Sequence, residues 1–178
     1  MRVKKIAAVC KEQKLAELWD AVDADGVVRQ WISCGPGIYP VDGMPALRGE
    51  HLPSLLSLSK KEQEKMELKT GAKPEGLDLS DVSPGEKISM QASFLVKCGG
   101  RAFWPLMAGG KTYFIDTALL VPIAAEYQSA ELYLRKVGET PFFAVKNGLI
   151  CVGAVFPEPD MGQLARELSV VGDGYEET

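Results

Sequence analysis

The sequence predicts an α+β domain with antiparallel sheets, built from two units that each consist of a helix followed by three strands. The chain has 178 residues, of which 46% are hydrophobic and 25% are charged, as in an ordinary globular domain. Helical spacing of apolar residues gives way to strand-like runs twice along the chain. The connections within each unit are mostly two to four residues long, and turns this short join antiparallel strands.

The first unit, residues 1–41, begins with an amphipathic helix predicted from Val3 to Lys14. Val3, Ile6, Ala7 and Cys10 follow the spacing i, i+3, i+4 and i+7, which places them on one helix face. Two strand-like runs follow at 16–22 and 27–33, joined across residues 23–26, and a short third strand is expected at 38–41.

This first helix is also basic, although the whole chain carries a net charge of −4. Five basic side chains lie close together against one carboxylate, that of Glu12: Arg2, Lys4, Lys5, Lys11 and Lys14. One interpretation is a solvated helix face, which most lysine clusters are. The other is a surface that faces phosphate groups.

Residues 42–86 are interpreted as an insertion between the two units. Leu52, Leu55 and Leu56 predict one turn of helix. Ser59 and Glu62 form the Ser-x-x-Glu pattern of a capping box, which predicts a charged helix as far as Lys69. From residue 70 to 85, glycine, proline and acidic residues indicate an irregular linker.

The second unit, residues 87–157, starts with a long strand from Lys87 through Phe94, in which apolar and polar side chains alternate. Two glycine pairs, at 99–100 and 109–110, predict turns into strands at 101–107 and 111–115. Asp116 is expected to cap a helix over 117–128, which Pro122 would shorten or break.

Three further strands are predicted at 131–136, 142–146 and 149–156. Asn147-Gly148 predicts a type I′ hairpin turn between the last two. The letters IAA and then AEL occur at the passage from helix to strand in both units, at 6–8 and 16–18 and again at 123–125 and 130–132. Together with the repeated element order, this favours an internal duplication. Residues 158–178 are expected to form a short helix over 161–171 and an acidic tail.

The sequence offers few candidates for catalysis or metal binding. Its four cysteines, at 10, 34, 98 and 151, contain no Cys-x-x-Cys pair, so we interpret them as small apolar residues rather than zinc ligands. Gly110-Lys111-Thr112 does not fit a phosphate-binding loop, because Pro105 stands where that motif needs glycine. An enzyme using His51 or Asp116 is the least favoured class, and no cofactor or metal is expected.

Composition also bears on partners and location. The acidic balance, with a pI of about 5.2, gives no overall field that would attract nucleic acid or an acidic membrane. The apolar run after the basic start is interrupted by Lys11 and Glu12, too early for a signal peptide or a membrane span. We therefore expect a cytoplasmic protein with no membrane partner.

Several segments resemble the closing half of a sliding DNA clamp domain, the fold of polymerase processivity factors. The resemblance rests on the segments 114–120, 131–134, 141–145 and 155–157 and on the tandem units, and it covers about two thirds of the chain. It implies helices that line a ring and present cations to duplex DNA without regard to sequence. On this chain those residues would be Lys4, Lys5, Lys11 and Lys14. Clamp subunits contain two or three such domains, so a ring of this chain would be a homo-oligomer.

The resemblance implies a non-enzymatic DNA-associated or replication-associated binding protein. The alternative is an interaction module that has this fold but does not encircle DNA. Such a module would bind a protein or peptide partner at an exposed sheet edge or in an apolar groove.

Overall fold

The computed structural model describes residues 2–22, 26–124 and 129–162 and shows an α+β fold with two sheets. The helices are α1 (Arg2–Gln13), α2 (Leu52–Leu55), α3 (Lys60–Gln63) and α4 (Thr117–Ala124). The strands are β1 (Leu15–Val22), β2 (Val28–Ser33), β3 (Gly37–Pro40), β4 (Glu67–Ala72), β5 (Lys87–Ile88), β6 (Met90–Gln91), β7 (Val96–Cys98), β8 (Arg101–Ala108), β9 (Lys111–Asp116), β10 (Glu131–Val137), β11 (Thr140–Asn147) and β12 (Ile150–Val155). Short 3₁₀ turns occur at Gly49–His51 and Pro159–Met161.

The larger sheet has eight strands in the order β4-β1-β2-β3-β12-β11-β10-β5. Each predicted helix is therefore followed by three consecutive antiparallel neighbours, β1 to β3 in the first unit and β10 to β12 in the second. The two units meet through their third strands, since β3 pairs antiparallel with β12 and Ile38 lies opposite Ala154. A two-fold relation between the units would give this arrangement.

Both longer helices pack on one face of this sheet and contact each other. Ile6 and Cys10 of α1 and Leu119 and Ile123 of α4 are buried in one cluster with side chains of that face. The prediction of a helix from Val3 to Lys14 is confirmed. The helix ends at Gln13, and Lys14 takes the left-handed conformation, φ 55°, that commonly terminates helices.

The smaller sheet is built around β8, with β9 on one side and both β6 and β7 on the other. The predicted continuous strand from Lys87 through Phe94 is wrong, because β5 pairs with β10 in the large sheet and β6 pairs with β8. Pro105 interrupts the ladder: its carbonyl accepts from the Ala92 amide, but it has no amide to return. Beyond Ala92 the chain leaves the sheet until β7 begins at Val96.

The insertion contains α2 and α3, and the capping box is present, with the Ser59 amide donating to Glu62 Oε2 at 2.7 Å. The predicted helix through Lys69 is wrong, since α3 ends at Gln63 and β4 follows. β4 pairs parallel with β1, the one parallel pair among the described strands. An edge strand exposes most of its side chains, so charges that are typical of a surface helix are also tolerated there.

The irregular segment 73–86 is not an exposed linker. Leu77 and Leu79 are buried against the face of the large sheet opposite the helices, where they contact a cluster that includes Trp19, Trp31 and Phe142. The large sheet is thus covered on one face by helices and on the other by this segment.

The type I′ turn predicted at Asn147-Gly148 is wrong. Asn147 pairs with Ile150, so the loop residues are Gly148 and Leu149, and of these only Gly148 has a positive φ, 60°. An irregularity between Val145 and Lys146 shifts the register by one residue. Local turn preference does not reveal such a shift.

The predicted cap at Asp116 is confirmed, since the Ala118 amide donates to Asp116 Oδ1 at 2.9 Å. The helix continues through Pro122 as far as Ala124. Three predictions fall wholly or partly outside the described residues: the turn at 23–25, the helix beyond 124 and the C-terminal helix beyond 162.

Candidate functional site

The four lysines expected to face DNA occupy different environments around α1. Lys4 and Lys14 are exposed, whereas Lys5 and Lys11 are half-buried. At about 100° per residue, Lys4 and Lys11 share one side of the helix and Lys5 lies a quarter turn away. The structure therefore brings Lys4 and Lys11 together and separates Lys5 from them.

Lys11 is engaged within the protein. Its Nζ pairs with Glu62 Oε1 at 2.9 Å and donates to the Ser57 carbonyl at 3.2 Å. The hydrogen bond from Lys11, assisted by the backbone amide and hydroxyl of Ser59, lowers the pKa of Glu62 to about 2. This pair holds α3 beside α1, an arrangement that the capping-box pattern alone did not reveal.

Because of this pair, α3 with its exposed Lys60 and Lys61 lies beside α1 at Lys11. Sequence reasoning treated α3 as a solvated surface helix and missed this proximity. The second helix contributes no cation, since no described residue of α4 is basic. The side of α4 with Leu120 and Val121 instead borders an apolar cleft of about 430 Å³. Trp104 of β8 and the loop residues Phe94 and Leu95, between β6 and β7, also line this cleft.

A second concave feature of the described residues is an apolar groove of about 1040 Å³. It lies between β9, the start of β11 and the segment that follows β12. Its principal walls are aromatic, proline and methionine side chains: Pro36, Tyr113, Phe114, Pro141, Phe156, Pro157, Pro159 and Met161.

Prolines explain why this groove stays open. The Phe156 amide donates to the Pro36 carbonyl and the Glu158 amide to the Phe114 carbonyl, both at 2.8 Å, so the chain after β12 is held across the groove wall. Pro157 and Pro159 have no amide hydrogen to donate. The chain after β12 therefore cannot form a complete hydrogen-bond ladder with a further strand. The walls therefore present rings and aliphatic carbons and few backbone donors.

Arg101 fixes this wall to the start of α4. Its Nε donates to Asp116 Oδ2 at 2.8 Å, and its terminal nitrogen NH1 pairs with Glu158 Oε2 at 2.7 Å. Burial would lower the pKa of Arg101, but the hydrogen bonds to the two carboxylates outweigh it and raise the pKa. Asp116 is thus engaged both as a helix cap and as an ion-pair partner, which leaves it poorly placed to act as a general base.

A polar cleft of about 470 Å³ adjoins the groove and shares Lys111 and Tyr113 with it. Two of its carboxylates have cationic partners. Glu86 forms an ion pair with Arg135 and accepts from Lys146 Nζ at 2.6 Å, and Asp78 lies 3.8 Å from Arg135. Lys87 and Lys111, both exposed, have no ion-pair partner within the described residues. The combined site is apolar along the groove and basic at the cleft.

Groups suited to catalysis or metal binding do not converge in the part of the chain that the structure describes. No set of three or more His, Cys, Asp and Glu side chains there could hold a metal ion. His51 Nδ1 accepts a hydrogen bond from the Arg48 amide within an exposed turn. This histidine lines neither the groove nor the polar cleft. Cys10, Cys34 and Cys151 are buried and Cys98 is exposed, all as free thiols.

Comparison with known proteins gives no relative. No family model matches the chain, and neither a curated protein sequence nor a solved structure is significantly similar to it. Among the described helices, none has the length and apolar character needed to span a lipid bilayer.

Proposed function

We propose that this protein is a non-enzymatic binding module whose apolar groove docks a short segment of a partner protein. The observation that carries the proposal is the groove itself, whose lining of rings and prolines is large enough for several side chains. Lys111 at its boundary has no anionic partner among the described residues, which favours a segment that is not basic.

The edges of the large sheet support strand addition less well. The edge strand β4 carries charged Glu67 and Lys69, a common protection against pairing with another chain. At the other edge β5 has only two residues, and Arg135 of β10 is bonded to the carbonyls of Asp78 and Ser80. These features favour docking through side chains in the groove over strand addition to the large sheet.

Peptide-display selection against the intact protein tests this proposal. We expect enrichment of peptides with two or more apolar anchors, and Met161→Asp should weaken the best peptide at least roughly tenfold, because it places a charge against apolar surface. Met44→Asp is the matched control, since Met44 is an exposed methionine that does not line the groove. No enrichment, or enrichment indifferent to Met161→Asp, would refute the proposal.

The second candidate is a DNA-associated role for a clamp-like domain. The supporting observation is that the two helix-plus-three-strand units join through their third strands and place α1 and α4 on one face. Exposed lysines of α1 and α3 would then contact phosphates, with Lys4 and Lys14 more available than the ion-paired Lys11.

Fluorescence anisotropy with a duplex DNA fragment at low salt tests this candidate. The double variant Lys4→Glu with Lys14→Glu should weaken binding and flatten its salt dependence. The control double variant Lys97→Glu with Lys136→Glu makes the same charge change at exposed sites outside α1. It should change neither the DNA affinity nor its salt dependence. Equal affinities for the two variants would exclude the α1 surface.

A further inference from the structure

We infer that the segment docked in the groove is acidic next to its apolar anchors, and that its carboxylate binds at Lys87 and Lys111 in the adjoining cleft. This inference rests on the proposed docking function and adds the chemical class of the partner segment.

The two sites are continuous. Lys111 and Tyr113 line both the apolar groove and the polar cleft, so a bound segment can extend from one to the other without leaving the surface. Tyr113 is half-buried and its ring packs edge-on against Phe143, with centroids 5.3 Å apart. This packing gives the boundary a fixed aromatic surface.

The two lysines lie around the same turn. A Cβ built on Gly109 would lie 3.9 Å from Lys87 Nζ, so this ammonium group sits over the Gly109-Gly110 turn that leads into Lys111. Both turn glycines have positive φ, 58° and 72°, which keeps the turn tight. The fold therefore places two cations at the mouth of the cleft.

The anionic groups of the cleft do not balance these cations. Glu86 is bonded to Arg135 and Lys146, and Asp78 accepts from Ser80 and faces Arg135. The remaining lysine of the cleft, Lys136, lies 3.9 Å from the exposed Glu139. Lys87 and Lys111 would thus gain a counter-charge from an incoming carboxylate.

Selection with a peptide library that varies charge at each position tests the inference on the intact protein. Wild-type protein should enrich Asp or Glu beside the apolar anchors, and changing that acid to its amide should weaken binding roughly tenfold at low salt and less at high salt. Lys87→Glu with Lys111→Glu should reverse the preference to Lys or Arg. Lys65→Glu with Lys97→Glu, a control on exposed lysines outside groove and cleft, should keep the acidic preference.

The outcomes separate the two proposals. Apolar peptides that depend on Met161 but show no charge preference would overturn the acidic subsite and leave the docking function standing. Peptides indifferent to Met161→Asp, or none at all, would overturn both.

A third outcome concerns this chain itself. Residues 163–178 follow directly on Gly162 at the groove wall and contain apolar residues as well as Glu176 and Glu177. A photo-crosslinking amino acid at Thr140, an exposed position near the groove, should label an added acidic peptide. Labelling confined to residues 163–178 of the same polypeptide would overturn the assignment to a partner.

Discussion

Gly37 occupies a position in β3 where no side chain fits. A Cβ there would lie 2.3 Å from Tyr39 Oη and 3.1 Å from Cys34 Sγ. The Tyr39 hydroxyl donates to the Leu119 carbonyl at 2.9 Å, so the ring cannot move aside without losing this link to α4. We expect Gly37→Ala to lower the free energy of unfolding by about 1–3 kcal/mol, measured by urea denaturation.

Two further variants identify the cause. Gly162→Ala adds the same methyl group where no atom of the described part of the chain lies within 4 Å, and it should change stability by less than about 0.5 kcal/mol. Adding Tyr39→Phe to Gly37→Ala removes the closest atom, and the double variant should lose less stability than the two single changes together. Full additivity would show that Tyr39 is not the obstacle.

Glu62 should report the contact between α1 and α3 through its titration. Its folded-state pKa is about 2, below the usual value of 4.5, chiefly because Lys11 donates to the carboxylate. The stabilising contribution is therefore present above about pH 4.5 and is lost as pH falls toward 2. In Lys11→Met we expect the pKa of Glu62 to rise toward 4.5, measured by NMR titration of the side-chain carboxyl.

Lys14→Met is the control for this titration, because it removes a nearby cation that has no bond to Glu62. It should leave the pKa of Glu62 low. An unchanged pKa in Lys11→Met would show that Ser59, rather than Lys11, sets the titration and that α3 is not held by this pair.

At the scale of elements, the irregular segment 73–86 depends on one carboxylate. Arg135 and Lys146 are only 5% and 4% exposed, and both are bonded to Glu86. Burial would raise the pKa of Glu86, but hydrogen bonds from Lys146 and Arg135 outweigh it and lower the pKa. Removing the charge leaves Lys146 without its anion and leaves Arg135 with only Asp78, 3.8 Å away, as a carboxylate partner.

We therefore expect Glu86→Gln to cost about 3 kcal/mol of unfolding free energy, at the lower end for a broken buried pair because Arg135 keeps two backbone acceptors. The loss relative to wild type should begin to shrink as pH falls below the usual carboxyl pKa and should vanish as pH falls through the lowered pKa of folded Glu86, where the wild-type side chain is protonated as well. Urea denaturation at neutral and acidic pH measures both effects. Glu139→Gln, at a fully exposed control position, should leave the free energy of unfolding unchanged. Equal stabilities of Glu86→Gln and wild type at neutral pH would contradict the role given to Glu86.

The sequence predicts elements well where their signal is local. The apolar face of α1, the Asp116 cap and the capping box at Ser59 each lie within a few residues, and each is confirmed. The sequence fails to predict an element where pairing with a distant strand determines whether that element forms. β4 exists because β1 offers a free edge, and the chain leaves the smaller sheet beyond Ala92 because Pro105 lacks an amide there.

The candidate site shows the same contrast between local sequence signals and contacts of residues far apart in the chain. Individual lysines on α1 could be named from the sequence, but the pairing of Lys11 with Glu62 joins residues 51 positions apart. The groove brings together Pro36, Tyr113, Pro141 and Phe156 from four separate stretches. No periodicity or motif within any one stretch indicates that these rings meet.

At the scale of the whole molecule, the large sheet is covered on both faces. Helices α1 and α4 bury one side, and Leu77 and Leu79 of segment 73–86 bury the other. Surfaces available to a partner include the sheet edges, the outer side of α1 with α3, the apolar cleft beside α4, and the groove with its polar cleft. Charged side chains protect β4, and β5 is too short to template a long strand.

The charged edge strand β4 and the short edge strand β5 predict the molar mass of the protein in solution. We expect light scattering to give a monomer near 19.3 kDa, because neither edge of the large sheet offers a long apolar strand for pairing between copies. Adding a duplex DNA fragment at low salt should leave this mass unchanged, whereas a selected acidic peptide should raise it only by one peptide mass. A closed oligomer whose mass rises with DNA would contradict the docking module and favour the clamp-like role. In that case β4 would be the first edge to test. Thr70→Pro removes one backbone amide from this strand, so it should break a ring that forms through β4 and leave the groove intact.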